Sequence, residues 1–443
     1  MALSGLDIYK HLAKTNCREC GFPTCLAFAM ALAKKQTSLD KCTHVSDEAK
    51  MKLESAALPP MRLIKIGSGE KVVELGNETV MFRHEEKFHH PAAIGFLLED
   101  SLEENKLKER LDKINKLRFE RVGQLIEVNI VAVKQTKDDN NFINKVKLVS
   151  QSTDLAVMLI SESVNALTKT LEILKDKKPI IYSANKTNFE NLAKLAKEFS
   201  CNIVVSSENL EDLAELSGKV SSLGSADIIL DTGKKPLAKK IFDLTQLRRL
   251  ALLRNFRPYG YPNIVLIEEN DLFRELSVAS SLLAKYANIL ILKNIESWEV
   301  LSLLTLRQNI YTDPQKPLQV EPKIYPVGSP DEKSPLLVTT NFSLSYYTVL
   351  SEVESSKISS YIMAVDTEGM SVLTAWAAEK FTAEVIAKTL EKQNAKDVVK
   401  HNQLVIPGYV AAMSGDLEEK SNWKILVGPR EAAGITNFLR NLG

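Results

Sequence analysis

Between about Ala93 and Tyr325 one pattern recurs, and it constrains the fold more than any other feature of the chain. A short β-rich apolar run is followed each time by an amphipathic helical stretch. The runs read AAIGFLLE, LIEVNIVAV, LAVMLIS, PIIYS, CNIVVSS, ADIILD, NIVLIEE and NILILKN. Between them lie segments such as NALTKTLEILKDKK and NFENLAKLAKEFS, with apolar residues at helical spacing and polar residues on the other face. Near-continuous apolar strands separated by helices imply a parallel sheet covered on both faces. Eight such units are the number that closes a barrel, so residues 93–325 are expected to form a TIM barrel.

Barrel sites lie just after the strands, at Ser161, Glu162, Ser183, Asn185, Ser206, Asp231, Thr232, Glu268, Glu269, Lys293 and Asn294. Asp231, Glu268 and Glu269 could hold a metal or do acid–base work, although strand-end capping and subunit contact are the simpler reading. No phosphate-cradling loop of the Walker type is present, and the lone Gly233 does not make one.

At 443 residues the chain exceeds one ordinary core. Proline-rich sequence over 313–335, DPQKPLQVEPKIYPVGSPDEKSP, separates the barrel from the last stretch of the chain. Beyond it four further β-like runs, LLVTT, YIMAVD, QLVIPG and WKILVG, alternate with helical segments. Residues 326–443 are therefore expected to form an open, Rossmann-like α/β domain, with a ligand at the carboxyl ends of its strands. Those ends are small or polar: Thr339, Thr340 and Asn341; Asp366 to Ser371; Gly408; and Gly428, Pro429, Arg430, Glu431, Ala432, Ala433 and Gly434. Glycine and alanine there let a large flat ligand approach the backbone.

The amino-terminal segment, residues 1–58, carries four of the five cysteines, spaced Cys17-x2-Cys20-x4-Cys25-x16-Cys42. Three thiolates close together plus a distant fourth can surround a 4Fe-4S cubane. Gly21 and Pro23 let the backbone curl so that its amides point at cluster sulfurs. A structural zinc site also takes four thiolates, but usually from two paired C-x2-C knuckles, and the second pair is missing. Residues 59–92 read as a linker with a hairpin, and His84, His89 and His90 as a solvated loop or interface. The lone Cys201, in CNIVV, reads as core packing.

Charge is nearly balanced, 57 basic against 56 acidic residues, so no global field points to nucleic acid or acidic lipid. No apolar run approaches a membrane span, and the first residues lack a secretory layout, so the chain is expected in the cytoplasm.

CRECGFPTC and DTEGMSVLTAWAAEKF, in the order cluster domain, barrel, small α/β domain, resemble the large subunit of the corrinoid iron-sulfur protein of the reductive acetyl-CoA pathway. The resemblance covers the whole chain. It implies a cobamide in the last domain, with the loop Gly369, Met370, Ser371, Val372, Leu373 and Thr374 close to the lower face of cobalt. It further implies that Thr340, Tyr346 and Ala433 touch the corrinoid. The implied activity is methyl transfer from methyltetrahydrofolate to the nickel site of acetyl-CoA synthase, through cobalt(I) and methylcobalt(III). The resemblance also implies that the cluster restores cobalt(I) after accidental oxidation. The implied partners are a small barrel subunit forming a heterodimer, a methyltransferase, and acetyl-CoA synthase/CO dehydrogenase.

The Asp-x-His-x-x-Gly motif of many corrinoid proteins is absent. The only histidine after the linker, His401 in KHNQLVIPG, precedes a strand, so no protein histidine is expected on cobalt. Thr374 is expected to tune cobalt rather than to ligate it. A rival function is an iron-sulfur electron-transfer subunit serving a flavin or nicotinamide partner, against which no G-x-G-x-x-G follows any strand of the last domain.

Overall fold

The computed structural model describes residues 5–33, 36–46, 49, 53, 59–225 and 227–442. The expected end of the cysteine domain, residue 58, lies outside them. The chain forms two compact units: Met1–Phe119 with Ile126–Tyr311, and Glu120–Leu125 with Thr312–Gly443.

The first unit holds an antiparallel pair, β1 (Ile64–Ile66) and β2 (Val73–Leu75), and then β3 (Ala93–Glu99). A two-stranded sheet, β4 (Arg118–Arg121) with β5 (Gln124–Glu127), comes next in the chain, its residues Glu120–Leu125 belonging to the second unit. The remaining strands are β6 (Ile130–Lys134), β7 (Ala156–Ile160), β8 (Ile180–Ala184), β9 (Asn202–Ser206), β10 (Ile228–Asp231), β11 (Ile264–Leu266) and β12 (Ile289–Leu292). Eight of these pair in parallel in the order β10-β9-β8-β7-β6-β3-β12-β11. A parallel bridge from Leu230 to Asn263, with Leu230 N–H donating to Pro262 O at 2.8 Å, joins the first strand of that order to the last. The sheet is thus a closed barrel of eight strands, as the eight runs imply. Only the second half of LIEVNIVAV enters it, as β6, while the first half belongs to β5.

Alternate side chains of each strand explain why the runs are apolar throughout. Ile94, Phe96, Leu98, Val131 and Val133 face the helices, whereas Ala93, Leu97, Ile130 and Ala132 belong to the barrel interior. Gly95 is needed for the approach of β3 to β6, because a Cβ there would sit 2.5 Å from Ile130 O. Cys201 packs in the outer core, 5% exposed, and burial pushes its thiol up to about 12.

The segment read as a linker is part of this core. Ile64, Ile66 and Leu75 of the β1/β2 hairpin pack with Ala93, Ile130, Ala156 and Ile180, near the strand starts, and close the amino-terminal end of the barrel. Asn202 Nδ2 donates to Lys65 O at 3.2 Å, and Gly67 N–H to Lys178 O at 3.3 Å, which ties the hairpin to the strand starts. Downstream, the Arg248 guanidinium lies between the Phe88 and Tyr286 rings at 4.5 and 4.7 Å and pairs with Glu78 at 3.3 Å. Glu78 also accepts the N–H groups of His89 and His90 at 3.0 and 3.2 Å. These histidines therefore sit in a structural loop.

The second unit contains β13 (Ile324–Val327), β14 (Leu336–Thr340), β15 (Ser360–Val365), β16 (Gln403–Ile406) and β17 (Lys424–Val427), ordered β13-β15-β14-β16-β17. This corrects the expected Rossmann-like sheet in two ways. The sheet is mixed, because β13 runs antiparallel to β15. The four parallel strands take the order second, first, third, fourth, which is the flavodoxin-like arrangement. Because β13 starts at Ile324 and the second unit at Thr312, this unit also begins before the expected boundary at residue 326. Helix Ser343–Ser356, after β14, packs on one face through Tyr346 and Val353, and helix Ala383–Lys392, after β15, on the other through Ile386 and Leu390. The chain changes faces at β14, so a crevice is left between the carboxyl ends of β14 and β16.

Candidate functional site

The cysteine segment curls through a series of left-handed residues, Asn16, Arg18 and Gly21 at φ 50, 66 and 82°, before helix Cys25–Ala33 begins. Such reversals turn backbone amides toward one side and make an anion-binding concavity. One amide already reaches a thiol: Asn16 N–H donates to Cys25 Sγ at 3.3 Å, while Cys25 N–H donates to Asn16 Oδ1 at 2.8 Å. Cys25 is buried, Cys20 and Cys42 are half-buried beside Phe22 and Phe28, and Cys17 is exposed. All four are free thiols, and a sulfur-only donor set in a partly apolar pocket fits an iron-sulfur cluster.

A clasp absent from the sequence reading joins the two ends of the segment. Glu19 accepts from Thr43 Oγ1 and lies 3.2 Å from His44 Nε2, and these contacts, Thr43 first, hold its carboxyl below the usual range. Donor atoms of Cys17, Glu19 and His44 fall within 4.8 Å of one another. Glu19→Ala should therefore release the Cys42 end, and loss of iron to a chelator, followed by visible absorbance, should become faster than in the parent protein.

In the second unit a cavity of about 310 Å³ opens at the crevice between β14 and β16. Of the residues expected at the corrinoid, Ser371, Val372, Gly428 and Pro429 line it. Thr339 lines it too, while Thr340, the next residue, is fully buried with its hydroxyl unpartnered. Tyr346 lies in a tyrosine cluster, its ring 4.7 Å from Tyr325 and 5.1 Å from Tyr347. Ala432 lines the cavity and Ala433 is exposed.

Several of the glycines also have a task within the fold. A Cβ at Gly408 would meet Gly428 O at 2.5 Å, so this glycine lets the loop after β16 pack on the loop after β17, and one at Gly434 would meet Pro429 Cβ at 2.7 Å, so Gly434 lets the latter loop fold back on itself. Gly369, at φ +73°, supplies a left-handed turn.

Asn341 fixes the loop that carries Gly369 to Thr374. Its Oδ1 accepts from Thr367 N–H at 2.9 Å, Thr367 Oγ1 at 3.0 Å and Gly369 N–H at 3.1 Å. Its Nδ2 donates to Gln319 Oε1 and Asp366 Oδ1, both at 3.2 Å. Asn341→Ala leaves two buried N–H groups without an acceptor, at a cost of about 1–3 kcal/mol each. Hydrogen exchange at Thr367 and Gly369 should accelerate accordingly, while exchange in β16 and β17 stays slow.

The loop ends in helix Val372–Ala377, where Ser371 Oγ and Thr374 Oγ1 share a hydrogen bond at 2.9 Å. Met370 N–H closes the turn onto Thr367 O at 3.2 Å. Two of the lining side chains, Leu344 at 67% and Tyr409 at 48%, are exposed and apolar, and so are Leu373 at 46% and Trp376 at 41% on the helix that begins at the lining residue Val372. His401 bonds Ser334 O at 2.9 Å and lies before β16, at the edge of the sheet away from the cavity.

A family profile described as "CO dehydrogenase/acetyl-CoA synthase delta subunit" matches residues 63–439, and one described as "Putative Fe-S cluster" matches residues 12–44. The chain is 44% identical over 441 residues to the "Corrinoid/iron-sulfur protein large subunit" of Moorella thermoacetica, covering 99% of each. The chain belongs to this family of corrinoid/iron-sulfur protein large subunits. The family extends to the "Acetyl-CoA decarbonylase/synthase complex subunit gamma" of Methanopyrus kandleri, 34% identical, with 100% of this chain and 98% of that one covered. Among solved structures, dihydropteroate synthase from Thermus thermophilus aligns at 14% identity and TM-score 0.38, over 50% of this chain and 95% of that one. Among the described residues no helix is long and apolar enough to cross a membrane.

For a corrinoid/iron-sulfur protein large subunit, sequence reasoning named the 369–374 loop, of which Ser371 and Val372 line the cavity. It did not name the wall that helix Ser343–Ser356 contributes through Leu344, Ser345 and Thr348. Their spacing of one and four residues is a helix-face signal, but only the strand order says which helix comes after the switch strand.

Proposed function

We propose that this chain is the methyl-carrying large subunit of a cytoplasmic corrinoid iron-sulfur protein. It receives a methyl group from methyltetrahydrofolate through a methyltransferase and delivers it to the nickel site of acetyl-CoA synthase. When bound, a cobamide supplies a cobalt(I) nucleophile, and a 4Fe-4S cluster supplies the low-potential electron that regenerates it. The observation that carries the reading is the pairing, in one chain of this family, of a four-thiol segment with a switch-point cavity framed by the Gly369–Thr374 loop.

The residues present fit a corrinoid as a half-site. Walls of Leu337, Val405, Ile406 and Phe438 exclude water, and the hydroxyls of Thr339, Ser345, Thr348 and Ser371 can bond amide side arms. Arg430 adds a positive charge at the edge. A cavity of about 310 Å³ is far smaller than a corrin with its arms, and the apolar rim is exposed, so a second surface must cover the ligand. A small partner subunit has that role. Thr374 Oγ1 is engaged by Ser371, which suits a tuning hydroxyl rather than a ligand. Cys17, Cys20, Cys25 and Cys42 hold the cluster, and Phe22 and Phe28 shield it.

A visible spectrum of protein purified without oxygen tests the assignment. Corrinoid bands above the broad iron-sulfur absorption are expected. Flavin bands in their place would transfer the chain to electron-transfer proteins.

A further inference from the structure

The carboxyl-terminal mouth of the barrel opens into a cavity of about 870 Å³, and the methyl-carrier reading uses none of it. Its lining includes Ile160, Tyr182 and Leu266, which pack with the barrel interior and make an apolar surface carrying one phenol. With the opposite end of the barrel closed by the β1/β2 hairpin, the space is entered from the strand ends.

The walls are charged in an unusual way. Asp231, at the end of β10, is buried and accepts from Tyr182 OH at 2.8 Å, Gly233 N–H at 3.0 Å, Ser206 Oγ at 3.2 Å and Lys240 Nζ at 3.3 Å. The Lys240 side chain is 7% exposed and also donates to Gly233 O. Lys235, 10% exposed, pairs with the buried Asp243. Nearer solvent, Lys134 and Lys234 share Glu268 at 3.4 and 3.6 Å, and Arg274 Nε meets Glu269 at 3.0 Å.

Barrel stability does not call for this arrangement. Burying an ammonium costs several kcal/mol before pairing, and packed apolar side chains would close a barrel mouth without that cost. Nor does the donor set suit a metal. Asp231 is saturated by four donors, and Glu268 and Glu269 already face cations. Five cationic side chains line the cavity against three carboxylates, since Asp243 is not on the wall. The contacts of Lys134 and Lys234 with Glu268 exceed the roughly 2.7–2.9 Å of tight charged hydrogen bonds. The lysines are therefore loosely held, and Arg274 keeps two nitrogens beyond its bonded Nε for a planar oxyanion.

We propose that the barrel mouth is a binding site for a small organic anion. Its phosphate or carboxylate group is held by Lys134, Lys234 and Arg274, and its apolar body lies against Ile160, Tyr182 and Leu266. Asp231 and Lys240 form the rigid frame behind it.

The test uses the full-length protein with both cofactors bound, so that the second unit's cavity is filled, at low ionic strength to limit screening. The probes are 1-naphthyl phosphate, 1-naphthoate and the neutral 1-naphthalenemethanol, followed by calorimetry. One of the two anions should bind with one site per chain, and the alcohol at least about tenfold more weakly. Preference for the phosphate assigns a phosphate ester, and preference for the carboxylate a carboxylic acid. The double variant Lys134→Gln/Arg274→Gln, with both changes at partly exposed side chains, should keep the parental melting temperature and lose at least about tenfold in anion affinity. Failure of both anions to bind, equal binding of the alcohol, or unchanged affinity in the double variant would each overturn the proposal.

Discussion

A Cys25→Ser variant should purify with its iron-sulfur absorption and iron content lost and its corrinoid content unchanged. Cys25 is the buried cysteine of the four, it receives the Asn16 amide at 3.3 Å, and its own amide is bonded back to Asn16. Serine keeps the backbone bond but offers a hard, poorly acidic oxygen where iron-sulfur chemistry requires a soft thiolate. Corresponding changes at Cys17, Cys20 and Cys42 should act in the same direction. The corrinoid should persist because the cysteines belong to the first unit and the switch-point cavity to the second. Iron analysis beside corrinoid absorbance decides the matter. Loss of both cofactors together in every variant would refute the separation.

Glu299→Gln should stabilise the protein in alkaline solution. Glu299 is fully buried in helix Ser297–Tyr311, and its carboxyl oxygens accept no hydrogen bond. Burial first, and then the neighbouring Glu275 carboxylate, push its pKa from 4.5 to about 8. Glu275 is held by the loop after β12, accepting from Lys293 N–H at 2.7 Å, Asn294 N–H at 3.1 Å and Asn294 Nδ2 at 3.0 Å. The folded protein thus binds the Glu299 proton more tightly than the unfolded chain does. The stability it contributes is complete below the unfolded value of 4.5 and declines as pH rises toward about 8. Each unit crossed removes up to about 1.4 kcal/mol. Melting temperatures of parent and variant should therefore converge near about pH 5 and separate by about pH 8, with the variant higher. Parallel curves would show that Glu299 is ionised at little cost.

The barrel was legible because β-branched and apolar residues fill each strand on both sides, and helices separate the strands with a different period. Residues 59–92 showed a hairpin, but not that Ile64, Ile66 and Leu75 would find the strand starts of a barrel, since that contact is between distant parts of the chain. The switch-point cavity was half visible. Small residues after the strands marked the loops, whereas pairing of β14 with both β15 and β16 is a long-range choice that local sequence does not record. Parity also matters: Thr339 and Thr340 are adjacent, yet alternation along a strand sends them to opposite faces, and Thr339 is the one at the cavity. The strand β13 was hidden by Pro326 and the prolines around it, which read as linker. A proline lacks the N–H that an interior strand must donate, but an edge strand has one side with nothing to donate to.

That edge position governs how the second unit can be isolated. A fragment beginning at residue 326 would discard Ile324 and Tyr325, half of β13, along with the partners of Met363 and Ile362 in its antiparallel register. The flank of β15 would then present a bare row of amides and carbonyls beside the apolar Ile362 and Met363, a template for another chain to add a strand. Such a fragment would self-associate through β15, and light scattering would record particles growing with concentration. A fragment beginning at residue 312 keeps the proline-bearing strand in place. There Pro326 acts as a selvedge, finishing the border of the sheet so that no further strand is woven on.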